Sequence, residues 1–286
     1  MSDSASATRH RGEIEAGERF SFGANWTRFL AVLDERRIQS AEASLRDMLQ
    51  VDTLAGKKLL DIGSGSGLFS LAARRLGAQV HSFDYDPQSV ACTRELKHRY
   101  FADDSNWTIE EASVLDKAYL ERLGQWDVVY SWGVLHHTGA MWPALDNVAP
   151  LVADGGKLFI ALYNDEGGAS RRWRLIKKIY NKLPAPLKGA FAVLVYAPIE
   201  IRYFLIHCLR LDLRGYLDTY RNYQSMRGMS WRHDMVDWIG GYPFEVSAPD
   251  RVFDFYRARG FVMTRLRCDR GHGCNEYVFH KTAPDA

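Results

Sequence analysis

The stretch Leu59–Gly67, LLDIGSGSG, decides the fold. The apolar run KKLLDIG ends in glycine and reads as a buried strand over 58–62. Gly63, Gly65 and Gly67 follow, and GLFSLAARRLG then continues at helical spacing until Gly77 ends it. Glycine lets a backbone turn tightly and approach a ligand closely. The spacing here is G-x-G-x-G, with an acid, Asp61, just before it. The turn carries no lysine or arginine and no GK[ST] follows, which argues against a nucleoside triphosphate.

Outward from the turn, the same alternation repeats. AQVHSFD reads as a second strand (79–84) and PQSVACTRELKHRYF as a helix with Pro87 in its first turn. NWTIEEAS is a third strand, WDVVYS (126–131) a fourth, WPALDNVAPLV a helix and GGKLFIALY (155–163) a fifth strand. Strands and helices alternating at this spacing predict βαβ units and a parallel sheet. The alternation stops over 169–245, which reads as helical and irregular, and resumes with the helix APDRVFDFYRARG. Two strands end the chain, FVMTRLRC and NEYVFHK, and their short link DRGHG forces them antiparallel. Asp84 ends the second strand 21 positions after Gly63, near the spacing of about 20 at which an acid accepts hydrogen bonds from ribose hydroxyls. Asp86 is a rival, but Asp86-Pro87 reads as the cap of the following helix.

The bulk numbers fit such a fold. The 286 residues suit one large α/β domain with an insert, and 47% hydrophobic with 25% charged residues is ordinary for a globular protein. The net charge of +2 names no partner. Residues 1–14 are polar and expected to be disordered, with no apolar core of a secretory signal. Four cysteines without a CxxC suggest neither a disulfide framework nor a zinc knuckle, so a reducing cytoplasm is the expectation. The most apolar run, 189–209, carries Pro198, Glu200 and Arg202 near its middle. It is read not as a transmembrane span but as a buried or interfacial helix pair broken at Pro198.

LLDIGSGSG, HSFDYDPQSV, EEASVLD, VVYSWGVLHH and GGKLFIALY, in this order over about 56–165, resemble the successive motifs of class I S-adenosylmethionine-dependent methyltransferases. Within that family the chain looks nearest to small-molecule O-methyltransferases of the ubiquinone-biosynthesis type. The resemblance implies an α/β fold: a Rossmann-like, seven-stranded, mostly parallel sheet with an antiparallel last strand and a helical insert capping the site. It divides the chain into an N-terminal tail and helices (1–55), a cofactor-binding core (56–168 and 246–286) and the insert (169–245). It implies S-adenosyl-L-methionine as cofactor, with Gly63, Ser64, Gly65 and Gly67 forming the loop at its methionine part and Asp61 organising that loop near its ammonium. Asp84 would hold the ribose, Tyr85 pack on the adenine, and Ser113 and Val114 flank the adenine edge. Ser113 stands where many relatives carry an acid; a serine still accepts a hydrogen bond there. Ser131, Trp132 and Gly133 would border the methionine side.

VVYSWGVLHHTG follows the fourth strand, and ligands of open α/β sheets bind outside the carboxyl ends of the strands. In the related quinone- and fatty-acid-modifying enzymes a substrate-facing glutamate aligns with His136 and a histidine with His137. The resemblance therefore makes His136 the substrate-facing group, as a base or a hydrogen-bond partner, and His137 structural. A metal role is not assigned, because no HxxxH or HExxH occurs. Tyr163 and Asn164 end the fifth strand and are further candidates, as is His233 beside Asp234 in RGMSWRHDMVDWIGGYPFE, which reads as a wall of the acceptor pocket. FSFGANWTRF is expected to close that pocket from the other side.

The insert is strongly basic: 169–234 holds 13 Lys and Arg against four acids, a balance of +9 in a chain whose total is +2. Such a surface attracts an acidic or lipid-like acceptor, an anionic membrane surface or nucleic acid, or is merely solvated. The expected function is methyl transfer to a small molecule at oxygen, with peripheral membrane contact through the insert. The alternatives are a tRNA-modifying enzyme, disfavoured because 189–209 is too apolar for an RNA track, and a non-catalytic cofactor-binding protein.

Overall fold

The alternating segments assemble into one sheet. In a computed structural model, residues 3–221, 231–268 and 273–282 are described. The strands are β1 (Lys58–Ile62), β2 (Gln79–Asp84), β3 (Trp107–Glu111), β4 (Trp126–Trp132), β5 (Val152–Tyr163), β6 (Phe261–Arg267) and β7 (Cys274–Lys281), in the order β3-β2-β1-β4-β5-β7-β6. The first five are parallel, and β7 runs antiparallel between β5 and β6. Adjacent residues of each strand face opposite sides, as the period of two demands. Leu60, Val129, Leu158 and Phe279 enter one core layer, whereas Leu59, Val128, Phe159 and Val278 enter the other.

Helices α3 (Glu35–Leu49), α4 (Leu68–Arg75) and α5 (Pro87–Phe101) cover the second layer. Helices α6 (Lys117–Leu123), α7 (Met141–Val148) and α12 (Pro249–Arg257) cover the first. Side chains cap where chemistry predicts: Asp34, Asp86 and Asp116 accept the first-turn amides of α3, α5 and α6. The chain order reverses between β1 and β4, which opens a crevice at the carboxyl ends of these strands.

Two expectations are corrected. The segment expected to be disordered is helical where it is described: Asp3–Glu15 forms helix α1. It is held by tertiary contacts that polarity did not reveal. His10 is buried edge-on against Tyr85, and Glu13 pairs with Arg19 and accepts the Tyr85 hydroxyl. The apolar run is not a broken pair either: Ala185–Leu209 is one continuous helix, α9, with Pro198 inside it. The proline removes one ladder donor without ending the helix. Besides α9 the insert contains α8 (Gly168–Lys182), α10 (Leu213–Arg221) and α11 (Trp231–Gly240). The second N-terminal helix, α2 (Gly23–Ala31), lies over the crevice.

Candidate active site

A cavity of about 810 Å³ fills the crevice. Its floor is the glycine turn. Gly63, Gly65 and Gly67 all hold φ between 55° and 81°, a region that side chains rarely adopt. The close approaches differ among them. A Cβ on Gly63 would stand 2.4 Å from Val134 in the segment after β4, and one on Gly65 would come within 3.1 Å of the Trp26 indole on α2. Gly67 does not line the cavity; a Cβ there would press on Thr93 of α5, so it serves helix packing instead.

Two acids flank this turn. Asp84 accepts the Gly65 amide on one oxygen and the Asp86 amide on the other, each at 2.9 Å. Asp61 is 2% exposed and ends a buried relay. The Trp107 indole donates to Ser82 (2.9 Å), Ser82 and Ser70 share a bond of 2.7 Å, and Ser70 donates to Asp61. Burial pushes Asp61 up to about 7 despite the Ser70 bond, with the Asp84 charge adding to it. Burial likewise pushes Asp84 up to about 6, against the bonds from Asp86 and Gly65. Among the described residues no lysine or arginine forms an ion pair with either carboxyl, so this floor favours a cation. Asp86 caps α5 through Gln88 and holds the α2 terminus through the Gly23 amide (2.8 Å), the capping role its Pro87 neighbour suggested.

Further round the wall, Ser64, Tyr85, Ser113, Val114, Trp132 and Gly133 all line the cavity, as the motif order implied. The Tyr85 ring is flanked by His10 at 5.2 Å and the Arg19 guanidinium at 5.0 Å. The Trp132 indole donates to Glu276 of β7 at 2.8 Å. Ser131 is fully buried; its hydroxyl donates to the Ile62 carbonyl and ties β4 to β1, away from the cavity.

The two histidines exchange places relative to expectation. β4 gives way to a short 3-10 turn, Leu135–His137, which rotates His136 inward. His136 is fully buried, its Nδ1 accepts the Tyr163 amide, and its ring packs 4.0 Å from that of Tyr163. It does not line the cavity; His137 does. His137 Nδ1 donates to the Pro243 carbonyl at 2.6 Å, which leaves Nε2 as the acceptor nitrogen. Burial holds its pKa at about 3, so the ring is neutral throughout the physiological range.

Tyr163 also lines the cavity, inside a cage of His136, His137, Trp238 and Phe244. Asn164 does not: it bonds Asn275 and Glu166, joining β5 to β7 and to the next turn. His233 lies on α11, but its side chain is outside the described residues. Of the expected wall 227–245, Met235 and Trp238 line the cavity, Tyr242 and Phe244 do not, and 227–230 lie outside the described residues. Phe20, Phe22, Trp26 and Phe29 close the opposite side, as FSFGANWTRF suggested. Tyr196 of α9 and Cys274 of β7 complete the rim without any prior signal in their motifs.

The cavity thus has two unlike halves: an acidic, hydrogen-bonding floor and an aromatic chamber. None of the insert's basic side chains that are described lines it; those of Arg221, Arg227 and Arg232 lie outside the described residues. Among the described residues the expected acidic acceptor therefore finds no insert cation on the chamber wall. Arg19 does line it, but is committed to Glu13 and the His137 carbonyl.

Residues 60–158 match the family model described as a methyltransferase domain. A ubiquinone biosynthesis O-methyltransferase from Xanthomonas oryzae pv. oryzae (strain PXO99A) is 33% identical over 113 residues, 39% of this chain and 45% of that protein. The chain spans under half the length of the curated relatives it matches. Among solved structures, the magnesium protoporphyrin IX methyltransferase from Synechocystis PCC 6803 with bound SAH superposes with a TM-score of 0.52. It is 14% identical over 86% of this chain and 83% of that one. An O-methyltransferase family protein from Burkholderia thailandensis gives a TM-score of 0.53 at 12% identity over 87% of this chain and 58% of that one. At such identities the superpositions speak for the fold alone.

Proposed function

We propose that this chain, whose residues 60–158 match a methyltransferase-domain model, is a class I S-adenosylmethionine-dependent methyltransferase and methylates an oxygen of an apolar, lipid-like small molecule. The observation that carries this reading is the cavity's division into an acidic floor and an aromatic chamber, with His137 at the chamber wall. The floor suits the cofactor. The glycine turn lines the cavity, with Val134 packed on Gly63 and Trp26 on Gly65, and among the described residues the two buried carboxyls beside it pair with no cation. When bound, S-adenosylmethionine supplies a methyl group activated by a sulfonium charge.

The protein's own groups then position and exclude. Asp84 has lone pairs left after two amide bonds and accepts the ribose hydroxyls, while Asp61 faces the ammonium. The aromatic chamber shuts out water and holds an apolar acceptor against the floor. His137 Nε2 accepts a hydrogen bond from the acceptor's hydroxyl. With its pKa held at about 3 it is too weak a base to strip an ordinary alcohol. It orients a hydroxyl that is itself mildly acidic, such as a phenol, whose proton passes to solvent as the methyl group is transferred; a carboxylate would enter a chamber with no free cation among the described residues.

Incubation with methyl-labelled S-adenosylmethionine should label long-chain phenols and leave matched alkanols and tRNA unlabelled. Label confined to tRNA, or calorimetry with no S-adenosylhomocysteine binding, refutes the reading.

A pH dependence follows. A cationic ammonium prefers ionised carboxyls, and Asp61 and Asp84 sit at about 7 and about 6 in the free protein. Binding must therefore expel protons below pH 7. Cofactor affinity is expected to be full above about pH 7.5 and to fall as pH drops through 7 to 5.5. Calorimetry in buffers of different ionisation enthalpy should show proton release. A flat affinity over this window contradicts the assignment.

A further inference from the structure

Helix α9 is the most unusual surface of the molecule. Its best 18-residue window has a mean hydropathy of 1.5, yet only 6% of that window is buried. Two faces are distinct. Ala192 is buried, Tyr196 reaches the cavity rim, and Tyr203 and His207 pack on Tyr216 of α10. About 180° away, Leu187, Leu194, Ile201, Leu205 and Leu209 form a stripe at spacings of seven and four residues. All five are at least half exposed, Leu194 at 71% and Leu209 at 86%, and Leu211 beyond the helix at 93%. An apolar stripe of this length is not left to water without a use.

The segment that carries the stripe is basic in sum. Lys178, Lys182, Arg202, Arg210 and Arg214 outnumber Glu200 and Asp212 in it, and Lys188 is turned onto the Tyr180 ring. Two copies meeting face to face through this surface would bring two segments of net positive charge together, whereas an anionic lipid surface neutralises them.

Chain geometry decides between crossing and lying flat. β6 and β7 share the sheet with β5, so both ends of α9 belong on one side of a bilayer. The return path includes α10, LRGYLDTYR, whose Arg214, Asp218 and Arg221 forbid a second crossing. α10 instead folds back on α9, with Tyr203 Oη and Thr219 Oγ1 at 3.1 Å and the Phe204 and Tyr216 rings at 5.3 Å.

We propose that α9 is an in-plane membrane anchor: its Leu187–Leu209 stripe lies among the acyl chains of an anionic leaflet, with the flanking lysines and arginines at the headgroups. Tyr196, on the opposite face of the same helix, lines the cavity, so the docked helix holds the cavity one helix diameter, ~10 Å, from the leaflet. An apolar acceptor then has only about the width of that helix to travel between lipid and chamber. This last step rests on the proposed methylation of a lipid-like acceptor; the docking does not.

The full chain is sedimented with vesicles of pure phosphatidylcholine or of phosphatidylcholine with 30% phosphatidylglycerol. Binding is expected to be strong to the anionic vesicles and weak to the neutral ones. The double variant Leu194→Glu, Ile201→Glu should lose at least about tenfold in partitioning while keeping its affinity for S-adenosylhomocysteine. Equal partitioning of variant and wild type overturns the proposal. So does a wild-type dimer in lipid-free solution that the double variant abolishes, which assigns the stripe to a second copy. Vesicle binding without methylation of any long-chain phenol sinks the acceptor and leaves the anchor standing. Methylation of detergent-solubilised phenols by a protein that ignores vesicles does the reverse.

Discussion

Asp84→Ala is expected to lower the affinity for S-adenosylhomocysteine about 100-fold, the largest binding effect of any single change in the cavity. Two ribose hydrogen bonds to a carboxylate contribute about 1.5 kcal/mol each at least, and about 3 kcal/mol corresponds to that factor. The same truncation releases the Gly65 and Asp86 amides, which loosens the glycine turn the cofactor rests on. Asp86→Ala is the internal comparison. It removes the cap of α5 and the clamp on Gly23, so it should cost about 1–2 kcal/mol of stability and leave affinity much less affected. Calorimetric titration of both variants beside urea unfolding separates the two. Wild-type affinity in Asp84→Ala removes it from the ribose site.

His137→Ala is expected to reduce kcat about tenfold with cofactor affinity unchanged, the worth of one positioning hydrogen bond of about 1.4 kcal/mol. His136→Ala should act through the fold. Its ring is fully buried against Tyr163 and His137, and truncating a buried ring costs about 3 kcal/mol. Steady-state kinetics with denaturant unfolding distinguishes them; the reverse pattern restores His136 as the substrate-facing group. The pH profile adds a second check. His137 titrates at about 3 and is neutral everywhere above that, so it should add no inflection to kcat at saturating cofactor between pH 8 and 5. The KM for cofactor should rise over the acid part of the same range, because Asp61 and Asp84 take up protons there.

Much of the site was readable in the chain because it lies where a strand ends. The strands 58–62 and 79–84 are bounded by glycine and by an acid, and their apolar runs have no competing period. Gly63, Gly65, Asp84 and Ser113 then fall at the carboxyl ends of consecutive strands by chain order alone. Asp86 was legible as a cap because Asp-Pro starts helices. The choice between His136 and His137 was not. Both follow the last strand residue, and the 3-10 turn that rotates one inward is set by packing against Tyr163 and Pro243, distant in sequence.

The sequence by itself determined the sheet, the glycine turn, the acid at its rim and the basic, apolar character of the insert, because each depends on local period and residue type. Tertiary structure alone decided which histidine meets the cavity, that α1 is ordered by Tyr85 and Arg19, and that α9 stands exposed. A run such as 189–209 has the same composition buried or bare; only the elements packed around it, or missing from it, settle which.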